Sequence, residues 1–147
     1  DGSLLFVSME RRALFRRWPD GRTTQHADLS GVHAHLSNDM VVDAEGRAYV
    51  GNFGFDLHAE LRARGDVAVL AEHPTASLAL VQPDGSVEVA AEGLHFPNGM
   101  VITPDGGTLI VGETLGAVLT AFDIGEGGRL SSRRVWAPTM SDVNNPR

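Results

Sequence analysis

Residues 37–54 read SNDMVVDAEGRAYVGNFG, and residues 97–114 read PNGMVITPDGGTLIVGET. Aligned from Asn38 and Asn98, both stretches pass through a turn residue, a short apolar strand, a turn ending in glycine and a second apolar strand. One extra residue, Gly107 or its neighbour, is the only gap. The segments MVV, AYV, MVI and LIV are dense in β-branched and large apolar residues, and each is too short for a helix, which predicts strands. Their continuous apolar character predicts burial on both faces.

A second pattern follows each copy, as LALVQPDGSVEVAAEGL over 78–94 and LTAFDIGEGGRLSSRRVWA over 119–137, and it occurs once before them as LFRRWPDGRTTQHADL over 14–29. In the PDG turns, Pro presets φ, Asp bonds the local backbone and Gly takes a positive φ, so each pattern predicts a hairpin. Two hairpins make a unit of four antiparallel strands. Such units, repeated at this spacing, are the signature of a β-propeller. Residues 38–92 and 98–137 are read as two blades, and residues 2–29 as the last three strands of an earlier one. Propellers close with roughly 4 to 8 blades, so a little under three blades is expected to be part of a larger ring. Residues 53–76, FGFDLHAELRARGDVAVLAEHPTA, interrupt the first full blade with weak helical character, as an excursion able to cover one end of the propeller.

The 147 residues have the size of one domain, with 42% hydrophobic and 21% charged residues, which argues against disorder. A formal net charge of −7 gives no electrostatic reason to bind nucleic acid or an anionic membrane. The single basic cluster, Arg11 to Arg22, reads as the solvated side of a hairpin rather than a phosphate site. Without cysteine, disulfides and thiolate metal sites are excluded, and any metal must be held by oxygen or nitrogen. No apolar run approaches the roughly 18 residues of a membrane span, and DGSLLFVSM lacks the basic region of a signal peptide, so a cytoplasmic location is expected.

NDMVVDAEGRAYVGNFGFD and FPNGMVITPDGGTLIVGET resemble the SMP-30/gluconolactonase/LRE-like family, and the similarity extends to VSMERRALFRRWPDG, HADLSG and LTAFDI. This resemblance implies a six-bladed β-propeller with a divalent metal in its channel, calcium first and zinc or magnesium as alternatives, and hydrolysis of a sugar lactone. It implies that Asn98 is a metal ligand, that Asn38 bonds substrate and that Asp56 is an acidic substrate contact. An inner-strand asparagine offers a neutral carbonyl oxygen to the axis, which suits a hard cation such as Ca²⁺. The family's metal-binding glutamate and its aspartate general base have no counterpart in this chain, and Asp142 in the tail does not replace the latter. Where many members carry an arginine two positions before Asn38, this chain has Leu36.

Other polar residues read as structural. His33 and His35 alternate, which predicts one shared face, with His35 near enough to Asn38 to touch a substrate. Asp20, Asp43, Asp84 and Asp105 are expected to cap their own turns. Asn52 and Glu113 occupy matching second-strand ends. The alternative to a lactonase is a propeller that binds calcium or a small ligand, or acts as a scaffold, without turnover.

Overall fold

The computed structural model describes residues 2–139. Among these residues, eleven strands form three antiparallel sheets. The first contains β1 (Leu4–Ser8), β2 (Ala13–Arg17) and β3 (Thr23–Asp28). The second contains β4 (Ser37–Val42), β5 (Ala48–Asn52), β6 (Ala76–Val81) and β7 (Val87–Leu94). The third contains β8 (Pro97–Ile102), β9 (Thr108–Glu113), β10 (Val118–Ile124) and β11 (Leu130–Pro138). Each sheet is a meander in which every strand pairs with its sequence neighbour, so the chain crosses a sheet once and then enters the next. β4 and β8, the first strands of consecutive sheets, lie side by side. The chain is all-β, and its sheets are consecutive blades of a β-propeller.

Turn chemistry explains why the strands reverse where they do. At Gly21, Gly46, Gly85 and Gly106, φ lies between 74° and 89°, a region open to glycine and costly for other residues. The aspartate before or near each glycine closes the turn: Asp20 Oδ1 accepts from Arg22 N at 2.9 Å, Asp84 Oδ1 from Ser86 N at 2.9 Å, and Asp105 Oδ1 from Gly107 N at 3.0 Å. Asp43 Oδ1 accepts from both Glu45 N and Arg47 N. The Arg22 N–H at Asp20, and the Ser86 and Thr103 hydroxyls followed by the backbone N–H groups at Asp84 and Asp105, hold these carboxyls below the usual carboxylate range.

The second sheet is packed on both sides. Ala48, Val50, Ala79 and Val81 face Leu14, Ala27 and Leu29 around the first sheet, and Tyr49, Leu78 and Leu80 face Leu109, Val111 and Phe122 of the third. Every residue of β5 is buried, as its continuous apolar run predicts. At about 1.5–3 kcal/mol for each large side chain removed from water, these two layers are the main stabilising term. Tyr49 adds a tie by donating its hydroxyl to Gly128 O at 2.7 Å, and burial raises that phenol to about 12.

Burial on both faces does not extend to MVV or MVI. Val42 is 40% exposed and Val101 is 56% exposed: β4 and β8 are the edge strands of their sheets, and while Met40, Val41, Met100 and Ile102 pack partly against the cores, these two valines do not. LIV alternates, with Leu109 and Val111 buried and Ile110 half-buried. Among the described residues, the third sheet has a neighbouring sheet on one face only.

The excursion after β5 carries two short helices, α1 (Leu57–Arg64) and α2 (Asp66–Ala71), separated at Gly65, whose φ is 78°. Asp56 caps α1 by accepting from Ala59 N at 2.9 Å, and Glu60 pairs with Arg64 one turn on. α1 buries no residue, while α2 inserts Val69 into the protein.

Candidate functional site

The two copies of the repeat are equivalent in register. Ser37 pairs with Asn52 across β4 and β5, and Pro97 pairs with Glu113 across β8 and β9. In both pairs the register then slips before Met40 and Met100, so Asn38 and Asn98 occupy the same bulge of neighbouring blades. A bulge re-aims side chains and is common beside functional sites.

The two side chains differ in their contacts. Asn38 Nδ2 donates to Pro97 O at 2.9 Å, and its Oδ1 accepts from Asp39 N at 2.8 Å. Both ends of the amide are occupied, and the residue tethers β4 to β8. A side chain at Gly51 would abolish this tether, since a Cβ there would lie 2.4 Å from Pro97 O and 2.6 Å from Asn38 Oδ1. Asn98 is half-buried and its amide has no hydrogen-bond partner among the described residues. Its carbonyl oxygen is therefore available. The Asp39 carboxylate lies beside the same segment, 3.9 Å from where a Cβ on Gly99 would sit.

Asp56 reaches this end of the sheets as the cap of α1. The Ala59 N–H holds its carboxyl low, helped by His35, whose Nε2 lies 3.9 Å from Asp56 Oδ2. From His35 a run of rings leads back to the asparagines: His35 to Phe53 with centroids 6.4 Å apart, and Phe53 to Phe96 at 4.4 Å. Phe96 immediately precedes Pro97 and Asn98 and has φ +59°, a conformation rare for a bulky side chain. Packing on Phe53 and a hydrogen bond from Thr114 N to Phe96 O hold it there. Such over-determined strain clusters at ligand sites.

His33 and His35 do not share a face. The segment before β4 bends instead of running extended, beginning with the hydrogen bond from His33 N to Leu29 O. His33 turns into the core, with Nδ1 2.8 Å from Ser37 Oγ and Nε2 3.2 Å from Val50 O. Nε2 must donate to the carbonyl, so Nδ1 accepts from the serine hydroxyl. Burial lowers its pKa to about 4. His35 stays part-exposed, with its Nδ1 buried and without a partner among the described residues.

Asn52 and Glu113, the two second-strand ends, are both buried and hydrogen-bonded through their side chains. Asn52 accepts from Gly54 N and donates to Ser77 O. Glu113 accepts from His95 N, Thr120 Oγ1 and Arg133 Nη2. Sequence reasoning did not find Gly51, Phe53, Phe96 or the contact between His73 and His95. A glycine in a strand was a usable signal for the first, because it marks close backbone approach.

The donors present match a hard cation in kind, as neutral and anionic oxygens. Among the described residues, no group of three or more His, Cys, Asp or Glu side chains could hold a metal. Asp142 lies outside the described residues. No helix among them is long and apolar enough to cross a membrane.

A family model described as the SMP-30/Gluconolactonase/LRE-like region matches residues 1–146. No curated protein sequence matches significantly. Among solved structures, a gluconolactonase from Xanthomonas campestris is similar at 28% identity and a TM-score of 0.64, over 91% of this chain and 44% of that one. The calcium-binding protein regucalcin from Agrobacterium tumefaciens is similar at 24% identity and a TM-score of 0.67, over 92% of this chain and 42% of that one. A virginiamycin B lyase from Staphylococcus aureus is similar at 12% identity and a TM-score of 0.63, over 92% of this chain and 38% of that one. The last two likenesses show the fold alone. The chain thus spans less than half the length of these structures, in keeping with a little under three blades of a six-bladed ring.

Proposed function

The chain belongs to the SMP-30/gluconolactonase/LRE-like family, and on that premise we propose that it is part of a gluconolactonase-like enzyme that hydrolyses a sugar lactone with the help of a divalent metal, calcium first. The observation that carries this reading is the Asn98 amide, unpartnered among the described residues in a bulge whose twin at Asn38 is bonded at both ends.

Asn98 would hold the metal through its carbonyl oxygen, with further oxygen ligands from outside residues 2–139. When bound, such an ion polarises a lactone carbonyl and lowers the pKa of attacking water. Asn38 keeps Pro97, and with it Asn98, in place across the β4–β8 seam. Its amide spends one N–H on Pro97 O and one lone pair on Asp39 N, so its second N–H and second lone pair are left to bond substrate. Asp56 remains ionised at neutral pH and can accept a substrate hydroxyl, with His35 beside it. Phe53 and Phe96 supply an apolar wall that excludes water from one side. The carboxylate that takes the proton from attacking water is placed outside the described residues.

The test is acid release from an aldonolactone by the full-length protein. Hydrolysis should collapse with a chelator and with Asn98→Ala. Unchanged hydrolysis after both treatments sinks the proposal. Calcium binding without turnover would favour the non-catalytic binding propeller.

A further inference from the structure

His73 Nε2 and His95 Nδ1 lie 3.0 Å apart, joining the end of the α1–α2 excursion to the start of the third blade. Neither residue belongs to the proposed hydrolytic site. We infer that this imidazole pair is a second, separate metal site, for a borderline transition-metal cation such as Zn²⁺.

Each ring is held from behind. His73 Nδ1 is 2.8 Å from Val69 O, a carbonyl in the last turn of α2. A carbonyl can only accept, so Nδ1 carries the proton and Nε2 presents a lone pair towards His95. This is the arrangement that fixes tautomer and ring orientation in histidine ligands, with the remote nitrogen bonded to a backbone carbonyl. Phe55 stacks on the same ring at 5.9 Å. His95 is fixed through its backbone: its N–H donates to Glu113 Oε2 at 2.7 Å, and its carbonyl accepts from Leu115 N at 3.2 Å. Gly116 allows this approach, since a Cβ there would lie 3.2 Å from His95 Cβ.

The spacing suits one shared ion. Two nitrogens each about 2.0–2.1 Å from one Zn²⁺ stand roughly 3.3 Å apart at the tetrahedral angle, so the pair needs to open by a few tenths of an ångström and each ring to tilt by roughly 35° off the N–H···N line. Without metal, His95 Nδ1 donates to His73 Nε2. To bind, His95 moves its proton from Nδ1 to Nε2 while His73 keeps its own on Nδ1. Two lone pairs then meet at one point with no net proton release. The pair opens on a hollow of about 410 Å³ lined also by Leu70, Glu72 and Leu115, which admits the waters that complete the coordination. Imidazole selects Zn²⁺, Ni²⁺ or Cu²⁺ and is a poor ligand for Ca²⁺, so the two sites differ in metal as well as in residues.

The experiment is a calorimetric titration of the protein with Zn²⁺ in excess Ca²⁺. His73→Ala and His95→Ala should each weaken Zn²⁺ binding by at least about tenfold, since even the loss of an outer partner costs that much. Asn98→Ala should leave it unchanged. His95→Gln keeps an N–H donor for His73 Nε2, so it should retain the wild-type melting temperature and still lose the metal. The site is overturned if the wild type takes up no Zn²⁺, if Ca²⁺ displaces it, or if the histidine variants bind as wild type does.

Discussion

Asn38 and Asn98 stand in the same bulge of adjacent blades, one register pair beyond Ser37–Asn52 and Pro97–Glu113, yet among the described residues one is tied at both ends of its amide and the other at neither. The difference comes from what each blade meets. Asn38 faces the backbone of the next inner strand, where Pro97 O accepts its N–H. Repetition therefore fixes where an inner-strand asparagine sits, the neighbouring blade decides whether its amide N–H is taken, and the next residue of its own strand, Asp39 at Asn38, whether its oxygen is. The supports of the two bulges differ as well: a buried neutral amide and a buried histidine on one side, a buried carboxylate on the other.

That contrast can be broken most severely at Glu113. Replacing Glu113 by Ala removes the acceptor of the His95 N–H and the Thr120 hydroxyl, and each buried donor left unpaired costs roughly 1–3 kcal/mol. Arg133 is 43% exposed and solvent screens its share. A loss of about 3 kcal/mol in denaturant unfolding is expected, with hydrogen exchange rising first around residues 95–99. A loss below about 1 kcal/mol would mean that this bulge does not depend on the carboxylate.

Acid should loosen the other bulge. His33 bonds Ser37, the residue that starts the Asn38 bulge, and burial depresses its pKa from 6.5 to about 4. The folded state disfavours the charged ring, so the contribution is fully present above about pH 6.5. It declines as the unfolded chain gains its proton between about pH 6.5 and 4, and is constant below that. Some 2.5 pH units correspond to about 3 kcal/mol. Hydrogen exchange on either side of pH 6 should show residues 37–39 losing protection before residues 97–99, and His33→Phe should flatten the dependence.

The glycines behind the bulges separate them further. Gly51 is jammed against Pro97 O and Asn38 Oδ1, while a Cβ at Gly112 meets Gly99 O at 3.4 Å and otherwise only a flexible leucine. Gly51→Ala should destabilise by about 2 kcal/mol through overpacking against backbone, and Gly112→Ala by well under half of that. Equal shifts in melting temperature would show that the β4–β8 seam has slack.

Much of the fold was legible because turn and strand signals are local. PDG turns, short apolar runs and the single extra residue of the second copy mark the strands within a few positions of where they lie. Contacts between distant residues were not. Nothing near Asn38 announces an acceptor 59 residues away, and alternation put His33 and His35 on one face because it assumed an extended chain where the backbone bends. Burial on both faces was right for AYV and wrong for MVV and MVI, since apolar density alone does not separate an interior strand of a sheet from an edge strand. His73 and His95 meet because the end of the excursion, just after α2, returns beside His95, Leu115 and Gly116.

The smallest expected effect is the most direct test of the comparison. Asn38→Ala removes one hydrogen bond to a backbone carbonyl and one to a backbone N–H, for a stability loss of about 1 kcal/mol. Asn98→Ala removes no hydrogen bond and should be neutral within about 0.5 kcal/mol. If Asn98 is a ligand and Asn38 a tether, the ranking reverses when a divalent cation is added. The wild type and Asn38→Ala would both gain stability from binding, because the ion binds the folded state alone. Asn98→Ala would gain nothing. Melting curves with and without Ca²⁺ on the three proteins decide it, and an equal calcium-dependent shift in all three would remove the distinction between the two asparagines.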